Sequence, residues 1–160
     1  MNKLASIVGR INGLPGFARS RALTLFFNRL VKYAGTSGTV VEKLTTEHCI
    51  VTLKNRKRVQ NHIGSVHAVA CALIAESATG FVVGMNVPDD KVPVIKSMNI
   101  DYVKRAKGDM RAEARLTAAQ IQAMKTEDKG EAVINVVITD AEGKSPLIAK
   151  MVWAWTPKRR

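Results

Sequence analysis

Between residues 17 and 33, in FARSRALTLFFNRLVKY, Leu23, Phe26, Phe27, Leu30 and Val31 recur at helical spacing. Arg19, Arg21, Arg29 and Lys32 fall elsewhere around the circumference. A stripe of that period predicts an amphipathic helix. Two uses of it stay open: docking on a sheet, the commoner fate of such stripes, or lying on a membrane surface, since basic residues flank it. AGTSG (34–38) punctuates the chain, and two short strands follow, roughly 39–46 and 48–54, joined by a tight turn near Glu47. The basic loop KNRKRVQN leads into an almost wholly apolar helix over 66–80, which Gly80 is expected to end. Residues 81–87, FVVGMNV, read as a strand and Pro88–Lys91 as a loop. Residues 92–117 alternate apolar and polar positions and read as two antiparallel strands turning near Lys107–Gly108. AAQIQAMKTEDKG is a short helix or a loop, and 131–156 form a hairpin turning at DAEGK. Strands in runs with segregated helices predict an α+β fold with an antiparallel sheet, within one domain of 160 residues.

Composition sharpens this picture at one point. The hydrophobic fraction, 46%, is that of a globular protein, but Lys plus Arg number 25 against 13 acids, a formal charge of +12. A field of that sign attracts polyanions: nucleic acid, anionic lipid, or a phosphorylated cofactor such as coenzyme A. Aromatics make up only 5% of the chain, which leaves few stacking platforms for a nucleic-acid binder. No apolar run reaches the length of a membrane span, and the N-terminal apolar stretches, broken by Arg10, Gly13 and Pro15, make a poor secretory signal. The expected compartment is therefore cytoplasmic. Cys49 and Cys71 are too few for a disulfide framework, and His48, His62 and His67 show no metal-ligand spacing, so no metal is expected.

The apolar helix carries the chemistry. Glu76 is the only acid in 66–80, where no Lys or Arg occurs, and its small residues are spread around the whole circumference. An ionised carboxylate is costly to enclose without a partner. Ser65 is placed to cap the helix, whose first N–H groups favour a negative ligand atom. His67 and Glu76 are nine residues apart, hence about 13 Å apart along the axis and on opposite faces. They cannot meet within one chain; a shared site requires a second.

NHIGSVHAVACALIAE resembles the signature of hotdog-fold acyl-CoA thioesterases of the phenylacetyl-CoA thioesterase type. Asn61, Gly64, His67 and Glu76 fall on its Asn, Gly, His and acid, and MNIDYVKRAKGD (98–109) is similar to a later strand of that family. The resemblance covers roughly 38–156. It leaves a helical extension at 1–37 and a basic tail at 157–160, PKRR, which is expected to be disordered. It implies an antiparallel sheet wrapped around one long central helix, and hydrolysis of an acyl-CoA thioester at a subunit interface. Glu76 would be general base or nucleophile, and the Ala68 N–H would stabilise the oxyanion. Asn61 would orient water or carboxylate, and His67 would support the thioester end. No cofactor is implied beyond the coenzyme A moiety of the substrate, and the expected partner is a second copy, in a dimer or a tetramer.

The sequence departs from the family twice. Ala68 and Val69 stand where the family has Gly-Gly, and the position of a supporting Ser or Thr falls on Ile95, with Ser97 two residues later expected on the same face. Gly64, Arg56, Lys57, Arg58, Lys104 and Arg105 complete the candidate substrate site, the cations facing the phosphates of coenzyme A; a solvated charge run is the simpler use of 54–58. Trp153 and Trp155 share a face and are expected to pack on the N-terminal helix. Two further readings stay open: an acyl-CoA or fatty-acid binder without turnover, and a nucleic-acid or membrane-surface binder. A dehydratase of this fold would carry a Pro-rich stretch after the His, which is absent here.

Overall fold

The computed structural model describes residues 2–158. Three helices open the chain: α1 (Lys3–Asn12), α2 (Gly16–Leu30) and α3 (Lys32–Ser37). Strands β1 (Val40–Leu44) and β2 (His48–Leu53) precede the central helix α4 (Ala68–Gly84). Then come β3 (Lys91–Tyr102), β4 (Met110–Arg115), α5 (Ala118–Thr126), β5 (Gly130–Thr139) and β6 (Leu147–Pro157). The six strands form one antiparallel sheet in the order β1-β2-β4-β5-β6-β3, and α4 packs against β2, β4, β5, β6 and β3 in turn. The sheet is therefore curled around α4, as the α+β expectation required.

The elements differ from the sequence reading in four places. The apolar helix does not stop at Gly80, and 81–87 are not a strand: α4 continues to Gly84, and the Asn86 amide donates to the Val82 carbonyl at 2.9 Å near its C-terminal end. Gly80 has ordinary helical backbone and is Gly for another reason. A Cβ built there would lie 2.6 Å from the Trp153 ring, so the missing side chain lets β6 close on the helix. Trp153 accordingly lies on α4, its indole N–H donating to Thr79 Oγ1 at 2.9 Å, and Trp155 donates to the Glu127 carbonyl; neither tryptophan is packed chiefly on the N-terminal helix. β3 and β4 are not a hairpin either. β3 pairs only with β6, and after it the Val103 and Lys104 amides donate to the Pro146 carbonyl, so the chain passes beneath the β5–β6 turn before entering β4. Finally, the single helix expected over 17–33 is α2 plus the start of α3, preceded by α1.

α1 falls within the helical extension expected over 1–37, which sets no bounds for it, and its capping is explicit. Asn2 Oδ1 accepts from the Ala5 N–H at 2.7 Å, while its amide donates to Gly84 and Val87 carbonyls at 2.8 and 2.6 Å. One side chain thus caps α1 and ties it to the end of α4. α2 docks on β1, where Ser20 donates to the Val41 carbonyl and Val41 N–H donates to Thr24 Oγ1. Its hydroxyls satisfy an edge that would otherwise stand open. α5 is a helix because Thr117 and Gln120 form a capping box. Of the basic tail, Pro157 ends β6 and the Lys158 amide donates to the Asp90 carbonyl; Arg159 and Arg160 lie outside the described residues. Among the described residues no helix is long and apolar enough to cross a membrane.

Candidate functional site

The loop before α4 is built as a rigid platform. Asn61 Oδ1 accepts from the Ile63 and Ser65 N–H groups, both at 3.1 Å, and Gly64 sits in the turn at φ 76°, where a side chain would be strained. The Asn55 amide donates to the Gly64 carbonyl at 3.0 Å. Arg105 reaches across from the segment after β3, donating from Nε to Ser65 Oγ at 3.1 Å and from Nη2 to the Ile63 carbonyl at 2.8 Å. Ser65 is therefore buried under Arg105 and does not cap α4. The cap is His67, whose Nδ1 accepts from the Val69 N–H at 3.1 Å, and a neutral His67 then carries its proton on Nε2.

This arrangement leaves two donors free. Val69 N–H is taken by His67 Nδ1 and Cys71 N–H by the His67 carbonyl, but Ala68 N–H, the first of the helix, and Ala70 N–H have no acceptor among the described residues. Ala68 lines a recess of about 290 Å³ shared with Asn61, Tyr102, Lys104 and Arg105, and Ala70 lines the one beside His67. The Tyr102 hydroxyl donates to the Ala68 carbonyl at 2.7 Å, and burial, aided by nearby Cys71, pushes its pKa up, so it stays a donor. Cys71 also lines the recess, but burial raises its thiol to about 11, which removes it as a nucleophile at neutral pH.

Glu76 lies elsewhere. It is half-buried and sits between a cavity of about 590 Å³ on one side and an open trough with Met98, Leu73, Val69 and Tyr33 on the other. Its carboxylate has no hydrogen-bond or ion-pair partner among the described residues, and burial pushes its pKa above the ordinary carboxylate value. Ser77, next to it on the cavity wall, is buried with its hydroxyl unpartnered. One protomer thus brings Asn61, Ala68, Lys104 and Arg105 together and holds Glu76 apart from them. His67 lines a third recess with Arg58 and Tyr33. Arg56 and Lys57 are exposed in the approach loop and line none of these recesses.

The strand positions need a correction. β3 carries a bulge at Lys96: Ile95 opposes Trp153, but Ser97 opposes Val152. Directly opposed residues share a face, so Ile95 points inward to the core, whereas Ser97 points outward and is exposed. The two do not share a face, and within one protomer Ser97 is turned away from Glu76. Sequence reasoning also passed over Ser77 and Tyr102. Ser77 was visible as the neighbour of Glu76 in an apolar run. Tyr102 sat in the quoted strand without an assigned role. Among the described residues no cluster of His, Cys, Asp or Glu is arranged to hold a metal.

Known structures give this architecture a context. A Pseudomonas aeruginosa protein of unknown function, PA5026, described as a "probable thioesterase", superposes with a TM-score of 0.76 at 27% identity, over 91% of this chain and 97% of that one. A mutant of the P. aeruginosa thioesterase PA1618 matches at 0.69 and 18% identity, covering 84% and 94%. A Haemophilus influenzae thioesterase, HI1161, matches at 0.65 and 13% identity, covering 82% and 88%. The fold is therefore the hotdog of thioesterase-family proteins. No curated protein matches the sequence. Residues 19–155 match the family model described as "Domain of unknown function (DUF4442)", and the chain belongs to that family.

Proposed function

We propose that this protein is a thioesterase acting on an acyl-CoA, with its site completed by a second copy of the chain. The observation that carries the reading is the state of Glu76: a half-buried carboxylate with no partner of its own, on the wall of an apolar cavity. Such a group is costly unless it has chemistry to perform. The complementary groups, a free helix N-terminal N–H at Ala68 and the Asn61 amide, stand together on the same protomer but in another recess. Pairing two copies places the acid of one against the platform of the other.

The free edge of β3 supports such pairing. It is twelve residues long and carries Val92, Val94, Met98 and Tyr102, each substantially exposed. An isologous contact along it gives a twofold dimer with two equivalent sites. In the reaction, Glu76 takes a proton from water as the water oxygen bonds to the thioester carbon. The carbonyl oxygen gains charge and is met by the Ala68 N–H, a donor type worth about 2.7–4 kcal/mol. The C–S bond then breaks, the thiolate of coenzyme A takes up a proton, and the acyl group leaves as a carboxylic acid. Lys104 and Arg105 border the recess where the coenzyme phosphates would lie.

One observation favours a second reading. The Val69 N–H is already used by His67, which leaves Ala68 as the one free helix N–H bordering the recess with Asn61, and Val69 itself is 53% exposed at the approach. Binding without turnover follows if one donor is too few. A panel of acyl-CoAs assayed for thiol release decides between them. Turnover of any member supports the hydrolase, and tight binding by calorimetry with no release across the panel supports the binder.

A further inference from the structure

The resemblance leaves 1–37 outside the shared fold, yet the structure gives these helices a wall of the cavity beside Glu76. Leu4 of α1 and Phe27 and Leu30 of α2 face Phe81 of α4 and Trp153 of β6 across about 590 Å³. The volume is that of a site for a whole ligand. Glu76 and Ser77 line it along α4, and Lys91 and Lys158 are its other polar wall residues. Lys91 contributes its stem, because its ammonium donates to the Glu127 carbonyl.

Resting on the thioesterase reading, we infer that this cavity holds the acyl group as an aliphatic chain of medium length, and that the N-terminal helices set the limit. From Glu76 to Gly84 the cavity follows α4 for eight residues, about 12 Å. An extended chain advances about 1.2 Å per bond, so about ten carbons fill that distance. The floor is Leu4, whose Cδ2 lies 3.2 Å from where a Cβ on Gly84 would stand. Asn2 holds it in place through its two bonds to the end of α4, so the depth does not depend on packing alone.

The test is calorimetry on the full chain with non-hydrolysable S-alkyl-CoA thioethers, from butyl to hexadecyl. Wild-type affinity is expected to rise roughly fourfold per methylene up to about ten carbons and then level off. Leu4→Ala lowers the floor and moves the break to longer chains. Leu30→Trp, at a position 61% exposed and so tolerant of bulk, narrows the cavity and moves it to shorter ones. Circular dichroism confirms folding of each, and either variant alone suffices. Affinity that ignores chain length, climbs unbroken to hexadecyl, or breaks at the wild-type length in the folded variants overturns the inference. Because the readout is binding, it separates from catalysis. A clear break with no thioester turnover removes the hydrolase and keeps the chain pocket, whereas turnover with no break removes the pocket assignment alone.

Discussion

Replacing Glu76 with Gln removes the charge and keeps the shape. If the carboxylate is the general base, the loss in kcat/KM is about a hundredfold to ten-thousandfold. Stability is expected to move the other way. Burial raises the Glu76 pKa in the folded chain above its ordinary value, so folding favours the protonated form. The stabilising contribution is complete below the ordinary carboxylate pKa and is lost as pH rises through the raised one; at neutral pH the ionised group is a cost. An unsatisfied, fully buried group costs about 1–3 kcal/mol, and partial exposure of Glu76 cuts this to about 0.5–1 kcal/mol. Glu76→Gln should therefore raise Tm at pH 7 by about 1–4 °C while it lowers turnover by that factor. The wild-type rate should fall in acid with a midpoint above the usual carboxylate range. Scanning calorimetry and a pH profile of thiol release read both. Undiminished turnover in the Gln variant refutes the base, and a lost rate with a lowered Tm shows that Glu76 holds the fold rather than performs the reaction.

Three further outcomes follow from contacts in the fold. Gly80→Ala gains about 1 kcal/mol of helix propensity but drives a methyl into the Trp153 ring, an overpacking cost of about 1–3 kcal/mol; thermal melts should show a net loss of up to about 2 kcal/mol. Glu113 is penalised by burial, but hydrogen bonds from Arg111 and Arg115 outweigh this and hold its pKa at about 2, with His48 alongside at 2.9 Å. Its contribution is present above pH 4.5 and lost as pH falls toward 2, so Glu113→Gln should lower Tm at neutral pH by about 2–4 °C and flatten the decline in acid. Met98→Glu puts a second carboxylate in the trough beside Glu76, and light scattering should show the assembly shifting to monomer with thiol release falling in step; an unchanged oligomer removes the β3 pairing.

The hairpins and the enclosed helix were legible because periodicity and turn residues are local signals. β1–β2 turns near Glu47, and β5–β6 turns at DAEGK, with Gly143 at φ 72°. The errors arose where a distant partner decides the outcome. Gly80 looks like a helix end until the Trp153 ring, far along the chain, is placed against it. β3 and β4 are neighbours in sequence, but β6 supplies a full-length register to β3, and that pairing wins. Ile95 and Ser97 obey the alternation of a regular strand only without a bulge, and nothing near Lys96 announces one. The site divides in the same way. The spacing of Asn61, Gly64, His67 and Glu76 could be read, but the bonds that make His67 a cap and Arg105 a clamp on Ser65 come from the folded loop.

The sheet has two edges, and the chain treats them differently. β1 is covered: Ser20 and Thr24 of α2 satisfy the Val41 backbone, so nothing can add there without displacing a helix. β3 is left bare over twelve residues, about 40 Å of strand, blunted by one bulge and by the Lys96–Glu131 ion pair. Long bare edges invite association, and proteins that have no use for them cover them. Here the bare edge adjoins Met98 and the trough that exposes Glu76, whereas the covered edge is the one that α2 closes on its way to walling the cavity of about 590 Å³. The N-terminal helices thus do two things with one placement. They cover the β1 edge and, through Leu4, Phe27 and Leu30, build a wall of the cavity beside Glu76. On the proposed pairing, closing β3 instead would leave Glu76 with the cavity on one side and no partner platform on the other.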